Sequence, residues 1–157
     1  MKAAASRERR RPKFHFSTEV RVRLPETDAF GIVFHANFYT YFDVARMDYL
    51  RNLGMNDFIR PISGRSSVIV HARADFLSPA RFDDLLVVHA RVSEIGRTSF
   101  TFEFRIAHKA ENRPVARGRT VQVVIDERRW RPVPVPAEFR RRARAFEGPA
   151  LRERRKF

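Results

Sequence analysis

The chain contains no cysteine. That excludes a disulfide framework, a thiolate nucleophile and any cysteine-held zinc, and it is compatible with a cytoplasmic protein, the expected compartment. No apolar run approaches the roughly 18–20 residues that cross a bilayer. Met1 to Lys13 is basic with no apolar segment behind it, so neither a membrane span nor a secretory leader is expected. Tryptophan occurs once and tyrosine three times, against 15 phenylalanines. Rings without a polar handle suit an aromatic-rich interior or an apolar pocket.

Several catalytic patterns are missing as well. There is no Gly-x-Ser-x-Gly elbow, since Ser63-Gly64-Arg65-Ser66-Ser67 does not fit it. There is no phosphate-cradling glycine loop and no His-Glu-x-x-His, so no metal is expected. His71, His89 and His108 are scattered through strand-like segments and read as ordinary strand histidines.

What the chain has in excess is positive charge, +14 over 157 residues. The excess sits at the ends: residues 1–13 carry six Lys/Arg against one Glu, and residues 127–157 carry eleven against four. A nucleic-acid reader would spread charge over a folded face among aromatics, so no nucleic-acid partner is expected. Solvated basic tails, or attraction of an anionic substrate such as a coenzyme A or an acidic carrier, remain as readings.

Phe14 to Leu24 alternates as a strand, with Phe14, Phe16, Val20, Val22 and Leu24 on one parity. Pro25-Glu26-Thr27-Asp28 breaks it. Ala36 to Leu53 has Phe38, Phe42, Ala45 and Tyr49 at helical spacing, and Gly54 stands where a left-handed C-cap belongs. Strands follow at Ser67–Phe76, Leu85–Ile95, Ser99–Lys109 and Val115–Asp126, joined mostly by short turns that imply antiparallel pairing. Pro132, Pro134 and Pro136 end the sheet. Ala137 to Phe146 is a candidate short basic helix, and the remainder is read as loose. One long helix and one mostly antiparallel sheet must bury each other, which is an α+β layer. A sheet wet on its other side needs a partner, so a two-fold homodimer is expected.

The segment Pro25 to Tyr39 carries the chemistry. It sets an acid, Asp28, in a loop, then Gly31, an apolar trio, His35 and the start of the long helix. Helix starts expose unpaired N–H groups and partial positive charge, which stabilise an oxyanion, and a nearby carboxylate can activate water or attack. Asp-x-x-Gly is also a common turn, and an Asp before a helix a common cap. Residue types alone leave acyl transfer and local capping both open. Glu26, beside Asp28, is expected in solvent.

Glu26-Thr27-Asp28-Ala29-Phe30-Gly31-Ile32-Val33-Phe34-His35-Ala36-Asn37-Phe38, followed by Phe42 and Ala45-Arg46, resembles the signature of the 4-hydroxybenzoyl-CoA thioesterase family of hotdog proteins. Phe76 to Asp84, Gly96 to Phe100 and Ala116 to Thr120 continue the resemblance, which covers about residues 14–137 and leaves basic tails at 1–13 and 147–157 around a domain at 14–146. It implies a hotdog fold, an antiparallel sheet wrapped around one long central helix, and active sites at a dimer interface, with dimers often paired into a homotetramer. It also implies hydrolysis of an acyl-CoA without a cofactor. Asp28 matches the catalytic aspartate, a nucleophile or a general base. His35 matches the position whose backbone N–H faces the thioester oxygen, with its ring either orienting substrate or water or taking no part. The resemblance puts Gly31, Phe34, Asn37, Tyr39 and Arg97 on the substrate side, Arg97 near the coenzyme phosphates if it is not simply a solvated turn residue. Phe30 departs from the family, where a small residue is common. The rival readings are a thioesterase acting on acyl carrier protein, which the basic ends would suit, and a non-catalytic acyl-CoA-binding hotdog protein.

Overall fold

The fold is a computed structural model that describes residues 13–58 and 64–154. The expected N-terminal tail, the last three residues and part of the connection after Gly54 lie outside the described residues. In order come β1 (Phe16–Arg21), α1 (Asn37–Asn52), β2 (Arg65–Phe76), β3 (Leu85–Ile95), β4 (Ser99–His108), β5 (Pro114–Asp126), β6 (Arg131–Pro132), α2 (Ala137–Glu147) and β7 (Arg152–Glu153). The main sheet runs β1-β3-β4-β5-β2, all antiparallel.

Alternation in β4 decides which face is inside. Phe100, Phe102, Phe104 and Ile106 point one way and are fully buried. Each such ring contributes about 2–3 kcal/mol when taken out of water. The matching stripe of α1 lies across them: Phe42 stacks on Phe104 with centroids 4.8 Å apart, and Tyr49 meets Phe102 edge-on at 5.1 Å. Phe139 of α2 closes the other end against Phe100 at 4.8 Å. The helix ends as its sequence foretells, with Gly54 at φ +69° and the Met55 N–H donating back to the Leu50 carbonyl at 2.8 Å.

Three expectations need correction. Phe14 does not continue the inward row of β1. The strand starts at Phe16, and the Phe14 ring lies on the opposite face of the sheet beside His89, 6.1 Å away. The prolines do not end the sheet at once: β6 pairs with the end of β5, and Val133 and Val135, between the prolines, donate their N–H groups to Val124 and Arg97. The segment after residue 147 is not loose, because β7 pairs in parallel with β3 and Arg154 reaches Glu94 at 2.7 Å.

Serial hairpins also give way once. β2 pairs with β5 at the sheet edge rather than with β3. Residues 77–84 must therefore cross the end of the sheet from β2 to β3. Leu77 and Ser78 donate to the Val115 carbonyl on the way, and the Arg113 guanidinium holds the Ser78 hydroxyl and the Pro79 carbonyl, each at 2.7 Å.

Gly118 in β5 is where α1 comes closest. A Cβ there would stand 2.3 Å from Cε2 of Phe42. Gly118→Ala should therefore destabilise the fold by about 1–3 kcal/mol through overpacking, read as a lower urea midpoint with an unchanged slope; an unchanged midpoint would show that α1 can retreat freely.

Candidate active site

The loop between β1 and α1 is built around Glu26. Pro25 opens a single 3-10 turn, Leu24–Glu26, which carries the Glu26 side chain inward. Its carboxylate accepts the Arg23 N–H at 2.8 Å, the Arg23 guanidinium at 2.5 and 2.8 Å, and the Tyr41 hydroxyl at 2.7 Å. Its carbonyl accepts the Phe34 N–H at 2.9 Å and the Asn37 side-chain amide at 2.8 Å. One residue thus joins both ends of the loop to the first turns of α1. Glu26 is 6% exposed rather than solvated as expected. Burial pushes its carboxyl up, but the hydrogen bonds from Arg23 and Tyr41 outweigh it and hold the group below the usual glutamate range. Burial and the neighbouring Glu26 charge raise the Tyr41 phenol.

Within this clasp the chain folds back on itself. Thr27 bridges Val33, Asp28 N–H donates to the Ile32 carbonyl at 2.9 Å, and Gly31 N–H returns to the Asp28 carbonyl at 2.9 Å. Oδ1 of Asp28 accepts the Phe30 N–H at 2.8 Å, which orients the carboxylate and leaves Oδ2 available. The loop is pinned to the crossing segment by Val33 N–H on the Ala80 carbonyl at 2.8 Å.

The helix begins just beyond. Asn37, Phe38 and Tyr39 donate to the carbonyls of Phe34, His35 and Ala36, and no side chain caps the start. The N–H groups of His35 and Ala36 have no hydrogen-bond partner among the described residues. They stand at the positive end of α1. A cleft of about 440 Å³ opens in front of it, with Asp28 and His35 on its wall and Ile32, Val33, Phe38 and Phe76 supplying apolar surface. The segment Leu77-Ser78-Pro79 completes the rim. An acid, free amides and an apolar slot at one place are what acyl transfer requires.

Of the residues singled out from sequence, Asp28 and His35 meet in this cleft. Gly31 sits at the loop turn, its carbonyl 3.5 Å from the Arg81 guanidinium. The half-exposed Phe34 ring packs against the His35 ring, centroids 4.3 Å apart, beside the cleft. Asn37 spends its amide on the Glu26 carbonyl, so its observed contact is structural. Tyr39 faces a separate small cleft with Phe42, Asp43 and Ile69. Arg97 lies in the β3–β4 turn, at the opposite end of β4 from the cleft, so a single chain does not bring it to Asp28. Phe30 is 83% exposed at the loop tip and does not fill the cleft of its own chain. Sequence reasoning missed Glu26 as the buried hub, and Phe76 to Pro79 as cleft wall. The Phe76–Asp84 motif was the available signal for the latter.

The sign of the Glu26 effect on stability follows from its lowered folded value. Its contribution is complete above the ordinary glutamate value of about 4.5 and drains away as the pH falls through the lower folded value. Glu26→Gln should cost about 1–3 kcal/mol near neutrality, and that gap should close as the pH is taken from about 6 to about 3. Paired thermal melts across this range check it, and a gap independent of pH would refute the charge-based account.

The model of the thioesterase superfamily matches residues 30–115 of this chain. The acyl-CoA thioesterase YbgC of Haemophilus influenzae is 34% identical over 127 residues, 80% of this chain and 91% of that protein. The acyl-acyl carrier protein thioesterase ATL3 of Arabidopsis thaliana is 31% identical over 128 residues, 82% of this chain but 66% of that protein. Among solved structures, Slr0204, a 1,4-dihydroxy-2-naphthoyl-CoA thioesterase from Synechocystis, superposes with a TM-score of 0.77 at 24% identity, over 85% of this chain and 98% of that one.

Proposed function

The chain belongs to the thioesterase superfamily and has its hotdog fold, and from that premise we propose that it hydrolyses an acyl-CoA to the free acid and the thiol with Asp28 as the central group. The observation that carries the reading is the shared cleft: the Asp28 carboxylate and His35, whose N–H is unpaired among the described residues, line one apolar slot at the start of α1. The thioester carbonyl oxygen accepts the His35 N–H, so charge that builds on it during attack meets the positive end of the helix. Asp28 Oδ2 then has two routes. It takes a proton from water, whose oxygen adds to the carbonyl carbon, and the tetrahedral oxyanion expels the thiolate, which receives the proton. Alternatively Oδ2 itself adds, the C–S bond breaks, and water hydrolyses the resulting anhydride. Single turnover in ¹⁸O-water tests the second route: label in Asp28 with an unlabelled first-turnover acid identifies an anhydride opened at the Asp28 carbonyl, whereas a labelled acid is common to the first route and to opening at the acyl carbonyl.

Coenzyme A as the carrier follows the YbgC relatives. The relative ATL3 supports acyl carrier protein as the second reading, and matched acyl chains on the two carriers decide it. Phe34 and Gly31 shape the cleft mouth in this reading. Asn37 and Tyr39 act through the helix start, and Arg97 can reach coenzyme phosphates only at a neighbouring subunit's cleft.

A second copy of the chain belongs on the free edge of β2. Among the described residues this 12-residue strand is paired on one side only, by β5. It presents Ile69 at 48% and Val70 at 59% exposure. Long apolar edges invite pairing with another chain, and β2 leads directly into the cleft wall at Phe76.

Asp28→Asn should lower kcat by at least about 100-fold while leaving the melting temperature and assembly state as in the wild type; full activity on the best acyl-CoA would sink the mechanism. Val70→Lys should shift the protein to monomer in light scattering and reduce activity with it, whereas an unchanged mass would place the subunit contact elsewhere.

A further inference from the structure

The face of the sheet turned away from α1 carries an arrangement that neither the core nor the acyl chemistry explains. Phe102, Phe104 and the Cα of Gly118 face the helix, so the residues between them face out. In the strand register Arg73 of β2 stands directly opposite Arg119 of β5, and Arg105 of β4 directly opposite Arg117 of β5. Like charges opposite one another on paired strands destabilise the pairing. On its other side each β5 arginine faces an acid, Glu103 opposite Arg119 and Asp75 opposite Arg117, so four arginines share two carboxylates on this face.

The two carboxylates relieve only part of the repulsion. Asp75 takes Arg117 at 2.8 Å and Arg73 at 3.3 Å, holding those two guanidinium groups side by side, and Glu103 takes Arg91 at 3.5 Å. Arg105 and Arg119 have no carboxylate partner among the described residues. Arg105 is held instead over the Phe14 ring, 4.8 Å from its centroid. Between these groups lies a cleft of about 280 Å³, walled by Arg73, Arg105, Arg117 and Arg119 together with Asp75 and Glu103, and bounded by Phe14. The basic helix α2 handles its charge differently, with Glu138 paired to both Arg141 and Arg142.

We propose that this outer cleft binds a ligand carrying two or more linked phosphate groups. Guanidinium forks match phosphate oxygens two at a time, and a diphosphate would give Arg105 and Arg119 the anionic partners that Asp75 already gives Arg73 and Arg117. The volume admits a diphosphate with a sugar attached and is too small for a protein element. The site lies on the opposite face of the sheet from the helix and does not depend on the hydrolase reading. Two sources share the chemistry, the diphosphate of a coenzyme A and that of a separate nucleotide.

The test is calorimetric titration of the full chain with inorganic pyrophosphate, ADP and free coenzyme A at about 50 mM salt. The comparison protein is the Arg105→Ala/Arg119→Ala double variant, with Arg128→Ala, on the exposed turn after β5, as a control for general basicity. Pyrophosphate should bind saturably, the double variant should lose at least about tenfold in affinity, and the control should not. Without ligand the double variant loses like-charge repulsion together with the Arg105–Phe14 contact, so it should melt within a few degrees of the wild type, and a ligand-free melt separates lost binding from lost folding. ADP binding with an unchanged KM for acyl-CoA in the double variant assigns a separate nucleotide. Displacement of pyrophosphate by coenzyme A, with KM raised and kcat unchanged, assigns the substrate's own diphosphate. Absence of saturable pyrophosphate binding, or equal affinity in the wild type and the double variant, overturns the proposal.

Discussion

Phe42 lies flat on Phe104 across a position in β5 that has no side chain, and the helix can rest on the sheet at that depth only because of it. The contact sets the height of α1 above the strands. Once the height is set, the start of the helix must project over the end of the sheet where β2 stops and β5 begins. The crossing segment 77–84 passes the same place, because β2 belongs to the far edge and the chain has to return to β3. The cleft is the space left between a helix end, a clasped loop and this crossing segment. None of the three was placed for chemistry alone; each is where packing requires it.

The clasp at Glu26 converts that packing into electrostatics. A buried carboxylate costs free energy unless it is fully bonded, and here every contact that satisfies it also fixes the loop. Arg23 precedes the loop and Tyr41 belongs to the helix, while Asn37 of the helix holds the Glu26 backbone carbonyl. The Asp28 backbone is fixed by Ile32 and Gly31 and its carboxylate by the Phe30 N–H, which holds the group in place relative to the positive end of α1. Preorganised dipoles of this kind act without reorganisation when charge develops.

The outside of the molecule is divided as sharply as the inside. The β2 edge is apolar and unpaired, which suits a second chain. The outer sheet face gathers four arginines around two carboxylates, with two arginine pairs directly opposed. Asp75 and Glu103 offset only part of that charge, whereas the stacked phenylalanines on the other face are accounted for by burial alone.

Much of the architecture was legible in the residues. The alternation of β4, the helical spacing from Phe38 to Tyr49 and the glycine that ends α1 are local patterns with local causes, and their element boundaries agree with the structure to within one or two residues. The loop Asp28 to His35 stood out because its residue types match an oxyanion-stabilising chemistry and a known family signature. The rest required contacts between residues far apart in the chain. Glu26 looked like a solvent-facing acid because nothing in its neighbourhood announces the tyrosine 15 positions on that accepts it into the core. The opposition of Arg73 to Arg119 and of Arg105 to Arg117 is a matter of strand register, and register is set by which strands pair, not by any one of them. What the sequence determined alone is the set of elements and the acid it offers at the helix start. Which faces meet, which charges are buried and which are forced together were decided only when the sheet closed on the helix, because those energies belong to pairs of residues and not to single ones.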